Sequence, residues 1–478
     1  MGAMTRPAPP TLLALIPWAL FACAAPLPQD HEPAGQEQGA ATSAKRPPNV
    51  VLMFVDDMGY GDMGITGHPT IRTPHLDRLA MEGMRFTQFV TACSVCSPSR
   101  AALLTGCYPR AMEMHRHVVF PGDPHGLHPD EVTLAECLAD AGYATGMFGK
   151  WHLGHRRGML PNDQGFDRWV GIPYSNDMAQ AHRRPGNTYP YQLPFLEDGE
   201  VTEWEPDQST FTRRLTEEAV AFMRAHRDEP FFVYVPHPMP HIPLYPGEAF
   251  QGASRRGTYG DVIEELDWSV GTLRATLEEL GLAEDTLFLF SSDNGPWLPM
   301  RENGGSAGHL RGGKGTTWEG GHRVPLLAAW PGTIEGGAVC AELATAMDLA
   351  PTVAGLCGTE LVGRGPLDGH DIAPLLLGAP GAVSPTEHFL YYAAKGPLAA
   401  VRRGPWKLHL ESGELYHLEH DVEEQRAVQE RHAELAAELR DLAVRSDAAL
   451  VARARSRGDG GELAFDPALP ATGASSGE

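Results

Sequence analysis

Runs of apolar residues alternate with amphipathic stretches along most of the chain. The first run, Asn49 to Val55 (NVVLMFV), is almost unbroken, as in a central parallel strand covered on both faces. Further strands are predicted at 86–91, 144–148, 230–235, 286–290 and 324–330, and helices at 75–82, 131–141, 212–226 and 259–280. This alternation predicts an α/β fold with a large, mostly parallel sheet and helices on both faces.

The pattern changes after about residue 380. Short strand-like runs at 389–392, 399–402, 406–410 and 415–417 follow one another without helices between them, and a charged helix is predicted at 423–444. We therefore expect a main domain over residues 48–380 and a small subdomain over 381–455, an antiparallel sheet packed with a helix. Residues 456–478 are predicted to be a disordered tail.

The N-terminus has the pattern of an export signal over residues 1–25. Arg6 precedes an apolar run at 11–22, which is too short for a stable membrane anchor. Cleavage after Ala25 and lipid attachment at Cys23 both remain open, since LFAC resembles a lipobox in which Phe21 fits poorly. Residues 26–47 predict a flexible linker. We expect an exported protein that is periplasmic, surface-anchored through Cys23 or secreted.

Composition narrows the possible partners. The 478 residues are 42% hydrophobic and 21% charged, which is ordinary for a globular protein with a large core. A formal net charge of −23 argues against a general surface for nucleic acid or anionic membrane. A protein this acidic must gather its cations locally in order to bind an anion.

One such location is the stretch TACSVCSPSRAALLTG at residues 91–106. Pro98 suits the first turn of a helix that Gly106 would end, so Cys96 lies at a helix N-terminus, where anions are favoured. Arg100 adds a permanent positive charge one turn later. In this setting we expect a reactive thiol. The alternative is a buried cysteine or a disulfide with Cys93 or Cys107, and the pairing of the 7 cysteines cannot be deduced from sequence.

Acidic and amide side chains follow two of the predicted strands. Asp56 and Asp57 open the string DDMGYGD, and Asp293 and Asn294 lie in SSDNGP. Ligands bind at the carboxyl ends of strands in open α/β sheets, and such hard oxygen donors suit calcium. For any one of these residues alone, a helix cap or a solvated turn would be the simpler interpretation.

Further polar side chains stand in short strings elsewhere in the chain. On extended backbone Lys150 and His152 would point the same way, although a surface lysine and a core histidine are alternatives. Ser175 could equally serve a turn, and His237 lies close to His241. The strings are GKWHLG with Lys150 and His152, GIPYS with Ser175, HPMPHIP with His241, and RGGKGTTWEGG with Lys314.

Together these strings resemble the signatures of the type I sulfatases of the alkaline phosphatase superfamily, beginning with C-x-P-S-R at Cys96 and ending with the string around Lys314. GIPYS resembles the branch of arylsulfatase A and N-acetylgalactosamine-6-sulfatase. The resemblance implies an alkaline-phosphatase-like fold and a sulfuric ester hydrolase of arylsulfatase type. It also implies that a formylglycine-generating or other sulfatase-maturating enzyme converts Cys96 to formylglycine.

The resemblance also implies the role of each residue. The formylglycine hydrate would attack sulfur to give a covalent sulfo-enzyme, and its second hydroxyl would release sulfate. Arg100 and Lys150 would hold the hydrate and the metal environment, and His152 would be the base. His241, Lys314, Lys150 and Ser175 would bind the sulfate. Ca²⁺ would be held by Asp56, Asp57, Asp293, Asn294 and the modified residue at Cys96.

Two other functions remain open at this point. A phosphonate or phosphodiester hydrolase of the same superfamily would share the C-x-P-x-R motif, and a non-catalytic protein could bind sulfated glycans. The GIPYS and GGKGTT strings favour the sulfatase. The expected substrate is a sulfated carbohydrate or an aryl sulfate. A predicted irregular loop from Ala179 to Trp204 would wall the pocket and favour the end of a polymer over its middle.

Overall fold

The computed structural model of the protein describes residues 46–468, except for 117, 180–190 and 395. Its α-helices are α1 (Pro74–Glu82), α2 (Cys96–Thr105), α3 (Leu134–Asp140), α4 (Phe211–Ala225), α5 (Thr258–Glu279), α6 (Glu319–His322), α7 (Ala346–Leu356), α8 (Ala373–Leu376) and α9 (Ala433–Ala452). Its strands are β1 (Asn49–Val55), β2 (Met84–Phe86), β3 (Phe89–Val90), β4 (His125–Gly126), β5 (Ala144–Lys150), β6 (Arg168–Ile172), β7 (Pro194–Glu197), β8 (Glu200–Trp204), β9 (Phe231–Val235), β10 (Thr286–Ser292), β11 (Leu326–Ala329), β12 (Ala338–Cys340), β13 (Ala344–Thr345), β14 (Phe389–Tyr392), β15 (Leu398–Arg403), β16 (Trp406–His409), β17 (Leu415–His417) and β18 (Gly458–Asp459). Short 3-10 turns lie at Gly64–Thr66, Pro161–Gln164, Asn176–Met178, Gln208–Thr210, Glu248–Phe250, Ala283–Asp285, Leu298–Asn303 and Gln429–Arg431.

A ten-stranded sheet forms the centre of the main domain, in the order β12-β2-β11-β10-β1-β9-β5-β6-β7-β8. The neighbouring strands β10, β1, β9, β5 and β6 are all parallel. Antiparallel pairs lie towards both edges, at β10-β11-β2 and β6-β7-β8. The predicted mostly parallel sheet is confirmed for its centre, and it is mixed as a whole.

Side chains of β1 alternate between two cores. Val50, Leu52 and Phe54 pack on one face with α2, α3 and α7. Val51 and Val55 pack on the other face with α1, α4 and α5. All of these side chains are almost fully buried, which explains why the strand is a continuous apolar run. The prediction of helices on both faces is therefore confirmed.

The predicted C-terminal antiparallel sheet is present, in the order β14-β15-β16-β17. Helix α9 packs on it through buried Leu439, Ala443 and Leu450. The helix begins at Ala433, ten residues later than the predicted start at Glu423. The reason is local, because Glu424 has a positive φ of 51° and its carboxylate is buried against other groups rather than exposed on a helix face.

Two segments differ from the irregular structure expected for them. Residues 456–468 of the expected tail are ordered, since β18 pairs with β4 and the Ala464 N–H donates to the His155 carbonyl at 3.2 Å. Backbone pairing of this kind fixes a segment that composition alone marks as disordered. Within the stretch 179–204, β7 and β8 form an antiparallel hairpin at the sheet edge, and its middle, 180–190, lies outside the described residues.

The predicted export signal, including Cys23, and residues 469–478 also lie outside the described residues. Among the helices that the structure describes, none combines the length and apolar character needed to cross a membrane.

Candidate active site

The carboxyl ends of β1 and β10 bring together the acidic pairs predicted from the sequence. The two strands are adjacent and parallel, so Asp56 and Asp57 meet Asp293 and Asn294 at one edge of the sheet. The Asp57 N–H donates to Asp293 Oδ1 at 3.2 Å, and Asn294 Nδ2 donates to Asp57 Oδ1 at 2.7 Å. Asp57 adopts a φ of 66°, which is uncommon for a non-glycine residue and is typical of functional sites.

Helix α2 places Cys96 against this acidic pair. Cys96 is the first residue of the helix, Val95 is its N-cap, and Gly106 ends it with a φ of 68°. Cys96 Sγ lies 3.5 Å from Asp56 Oδ1 and 3.6 Å from Lys314 Nζ. Burial and then the charge of Asp56 raise the pKa of the thiol. This direction of the pKa is opposite to what a reactive thiol requires, because burial and a neighbouring carboxylate outweigh the helix terminus and the cations.

Three permanent or near-permanent cations neutralise the carboxylates. Arg100 donates to Asp293 Oδ2 from Nε at 3.1 Å and from Nη2 at 2.8 Å. Lys150 Nζ donates to Asp56 Oδ2, and Lys314 Nζ donates to Asp57 Oδ2 at 2.8 Å. Burial alone would raise the pKa of Asp56, but Lys150, His241 and Arg100 hold it well below its usual range.

Ser175 lies in the same cluster. It accepts a hydrogen bond from Lys150 Nζ at 3.1 Å and is only 2% exposed. Lys150 therefore bridges Asp56 and Ser175. Ser175 of the string GIPYS therefore lies beside Lys150 of the string GKWHLG.

The two histidines of the HPMPHIP loop have different environments. His241 Nε2 lies 3.7 Å from Asp57 Oδ2, and its Nδ1 lies 2.6 Å from the Ile242 carbonyl. His237 instead contacts Ser269 Oγ of α5 at 3.1 Å, and burial lowers its pKa to about 3. Of the two, His241 faces the acidic cluster and His237 belongs to the core.

His152 is buried in the same region but not through the geometry predicted for it. Its φ is 64°, so the backbone after β5 is not extended and His152 does not follow Lys150 along one strand face. His152 Nε2 lies 3.0 Å from the Val119 carbonyl, and its buried Nδ1 has no hydrogen-bond partner among the described residues. Burial, then the charges of Lys150 and Arg100, lower its pKa well below the usual range.

Comparisons with known proteins agree with this geometry. The sequence model of the family described as Sulfatase matches residues 48–359. Arylsulfatase A of Homo sapiens is 43% identical over 393 residues, covering 77% of this chain and 76% of the relative. The chain belongs to the sulfatase family.

Other relatives of this sulfatase extend the comparison. N-acetylgalactosamine-6-sulfatase of Canis lupus familiaris is 38% identical over 388 residues, covering 77% of this chain and 73% of the relative. The solved structure of Ps i-CgsB in complex with k-i-k-neocarrahexaose superposes with a TM-score of 0.74 at 29% identity, covering 86% of this chain and 94% of that chain. The protein is therefore a sulfuric ester hydrolase with the alkaline-phosphatase-like fold of this family.

The cluster has the donors for a divalent cation. Ligand atoms of Asp56, Asp57, Cys96 and His241 all lie within 4.8 Å of one another. Asn294 Oδ1 is buried without a hydrogen-bond partner among the described residues, as expected for an oxygen that a cation would contact. His241 was not in the predicted ligand set. Asp293 was in that set, and in the structure Asp293 Oδ2 accepts two hydrogen bonds from Arg100.

Two residues that lie close to the predicted site residues were not among those predicted from the sequence. Asp62 is 1% exposed and closes the turn after Asp56 and Asp57, since it accepts the Gly59 N–H at 2.7 Å. Trp297 lies beside His241, with 5.6 Å between the ring centroids. Asp62 ends the string DDMGYGD and Trp297 directly follows SSDNGP, so proximity in sequence was the available signal. Neither an isolated aspartate nor an isolated tryptophan indicates a site by itself.

Proposed function

We propose that this sulfatase cleaves its sulfate ester with formylglycine formed from Cys96 and with Ca²⁺ held at the adjoining carboxylates. The position of Cys96 carries the proposal: it begins α2 between Asp56 and Lys314, at 3.5 Å and 3.6 Å. The high pKa of its thiol makes unmodified cysteine a poor nucleophile there. An aldehyde hydrate at this position would supply one hydroxyl to attack sulfur and a second through which sulfate is released.

The metal would be held by oxygen donors at the carboxyl ends of β1 and β10. Asp56, Asp57 and Asn294 Oδ1 are the candidates, with Asp293 and the modified residue at Cys96 completing the predicted set. Three carboxylates and an amide in one cluster suit calcium, which prefers several hard oxygens. When bound, the ion supplies Lewis-acid polarisation of the sulfate oxygens.

The chain's own cations hold the groups around residue 96. Arg100 fixes Asp293 through two donors and also donates Nη1 to the Lys150 carbonyl at 3.1 Å. Lys150 holds Asp56 and Ser175, and Lys314 reaches both Asp57 and Cys96. Lys150 thus joins Asp56 to Ser175, which is predicted to bind the sulfate. Lys314 joins Asp57 to Cys96, the predicted source of the nucleophile.

The two site histidines carry their protons on opposite nitrogens. A carbonyl can only accept, so His152 is protonated at Nε2 toward Val119, and its unpartnered Nδ1 keeps a lone pair for a proton. His241 is protonated at Nδ1 toward Ile242, which leaves Nε2 facing the cluster. His152 is therefore suited to be the base. His241 would donate from Nε2 to the leaving oxygen only when doubly protonated. Burial and then the charge of Lys314 lower its pKa, and Asp57 at 3.7 Å offsets this only in part.

The substrate we propose is a monoanionic sulfate ester of a sugar or an aryl alcohol. Arg100, Lys150 and Lys314 balance Asp56, Asp57 and Asp293 in formal charge. One divalent ion would therefore leave two positive charges, which attract an anionic ester but do not separate a monoanion from a dianion. Phosphate monoesters are commonly met by two or more metals, whereas the described residues hold one group of carboxylate, thiol and imidazole donors close enough together to bind an ion, at Asp56, Asp57, Cys96 and His241. Relatives named for aryl sulfate and sulfated N-acetylgalactosamine, and a neighbour holding a carrahexaose, support this range.

We further propose that the protein is exported and matured by a formylglycine-generating or related enzyme. The apolar run at 11–22 with the small residues that follow supports export, as a periplasmic, secreted or Cys23-anchored protein. None of the six cysteines that the structure describes forms a disulfide, so Cys96 is free to be modified. Sequencing the mature N-terminus decides between cleavage after Ala25 and a lipidated Cys23.

The test of the reaction is a comparison of kcat/KM on matched aryl sulfate, phosphate monoester and phosphodiester. The protein carries confirmed aldehyde at position 96. The highest efficiency is expected on the sulfate. Higher efficiency on either phosphate would overturn the proposal in favour of the phosphonate and phosphodiester hydrolases.

A further inference from the structure

A half-buried tryptophan stands directly beside the residues proposed to hold the sulfate. Trp297 follows Asp293-Asn294-Gly295-Pro296 in the chain. Its ring centroid lies 5.6 Å from that of His241, at an angle of 41°. Lys314 Nζ lies 4.8 Å from the same ring centroid. The indole therefore contacts two members of the proposed sulfate pocket while keeping part of its surface exposed.

The backbone around Trp297 fixes the position of this ring. The Lys314 N–H donates to the Pro296 carbonyl at 2.9 Å, and the Met300 N–H donates to the Trp297 carbonyl at 3.0 Å. A Cβ on Gly313 would come within 2.3 Å of the Pro296 carbonyl oxygen, so only glycine permits this close approach. A backbone hydrogen bond therefore fixes the segment of Trp297 against that of Lys314. It keeps the indole beside the Lys314 ammonium group.

We propose that Trp297 determines specificity by binding the ring of the leaving group against its indole face. The inference rests on the proposed sulfate pocket and adds what binds next to it. The cations of the cluster can recognise the sulfate, but they offer nothing to an uncharged ring. An indole supplies a large apolar face at little cost in conformational entropy, and the next residue, Leu298, is 42% exposed and extends the apolar surface.

The ligand class that follows is a sulfate ester whose leaving group is cyclic with one apolar face. An aryl ring would stack on the indole, and a pyranose would present the C–H groups of one face. Both share the chemistry of a flat apolar surface attached to an anion. An acyclic or strongly charged leaving group would gain little from this position.

The test measures binding with full-length, calcium-loaded protein carrying Cys96→Ala, which cannot turn over through residue 96. Dissociation constants for 4-nitrophenyl sulfate, galactose 6-sulfate and inorganic sulfate are measured by calorimetry with and without Trp297→Ala. We expect about tenfold weaker binding of a ring ester and a change within about threefold for inorganic sulfate, which has no ring. Loss confined to one ester identifies the aryl or the sugar source.

Two variants separate stacking from a structural effect. Trp297→Phe keeps an aromatic face and should recover most of the ring-ester affinity. Trp406→Ala removes another half-buried tryptophan, packed on His417 and His432 in the C-terminal sheet, and should leave all three constants unchanged. Equal weakening of inorganic sulfate and ring esters by Trp297→Ala, or no weakening of either ester, would overturn the inference.

The outcome is separable from failure of the proposed function. If inorganic sulfate and both esters fail to bind even with Trp297 present, the sulfate pocket itself is refuted and the inference falls with it. If they bind and the stacking comparison fails, only the role of Trp297 is refuted.

Discussion

Replacing Lys407 with Met should destabilise the protein strongly, because a buried ionic network joins the C-terminal sheet to the loop of Lys314. Lys407 is 0% exposed, and its Nζ lies 2.9 Å from Glu319 Oε1 and 2.9 Å from Glu424 Oε1. The Glu319 N–H in turn donates to Glu424 Oε2 at 2.7 Å. Glu319 begins α6, five residues after Lys314, so the network anchors the end of the loop that carries a site cation.

The magnitude follows from what Lys407→Met leaves behind. Glu319 keeps Arg323 and Arg402. Glu424 is fully buried, and among the residues that the structure describes it keeps only His409, at 3.3 Å, as a cationisable partner. Breaking a buried pair by removing one partner costs about 3–5 kcal/mol, since a charge remains without compensation. Arg403→Met is the matched control, because its exposed pair with Glu438 at 3.1 Å is worth about 0.2–1 kcal/mol.

Urea unfolding of both variants at pH 7 measures the two costs, provided the m-values match the wild type. The difference should also depend on pH. Burial would raise the pKa of Glu319, but Lys407, Arg323 and Arg402 hold it well below its usual range. That stabilisation is present above the ordinary glutamate pKa of about 4.3 and is lost as the pH falls below it, so the cost of Lys407→Met should shrink there. A cost equal to that of Arg403→Met would refute the reasoning.

Three further predictions concern the site itself. Asn294→Ala should weaken calcium binding about 10- to 100-fold by calorimetry, because its free Oδ1 is lost, and unchanged affinity would exclude it from the metal environment. Arg100→Lys should lower kcat/KM by about 10²-fold or more, since one ammonium cannot reproduce the two bonds to Asp293, and near wild-type kinetics would contradict the need for a fork of donors. Gly313→Ala should lower kcat/KM by displacing Lys314 while leaving calcium affinity near the wild-type value, because its Cβ would meet the Pro296 carbonyl at 2.3 Å; full activity would show that the close approach is dispensable.

Positions at strand ends were the most predictable part of the site. Asp56 and Asp293 follow predominantly apolar strands, and parallel pairing of β1 with β10 brings them together as the sheet rule predicts. The raised pKa of the Cys96 thiol was not predictable in the same way. It depends on burial and on Asp56, which is forty residues away in sequence and 3.5 Å away in space.

Other features that the sequence did not predict also depend on tertiary contacts. In sequence, Glu424 lies in a charged stretch that predicts a helix. In the fold, its carboxylate accepts a hydrogen bond from the Glu319 N–H, and its positive φ is not helical. Residues 456–468 are held by backbone pairing with distant parts of the chain, such as that of β18 with β4. Trp297 has no periodicity or motif of its own, so its contacts with His241 and Lys314 are visible only in three dimensions.

Formation of the aldehyde at residue 96 can be related directly to activity. Preparations made with and without a co-expressed maturating enzyme are compared by peptide mass spectrometry over Cys96 and by initial rates on an aryl sulfate. The account predicts that the rate rises in proportion to the fraction carrying the aldehyde and vanishes in Cys96→Ala, which remains folded. A fully active preparation that contains only the thiol at this position would contradict it.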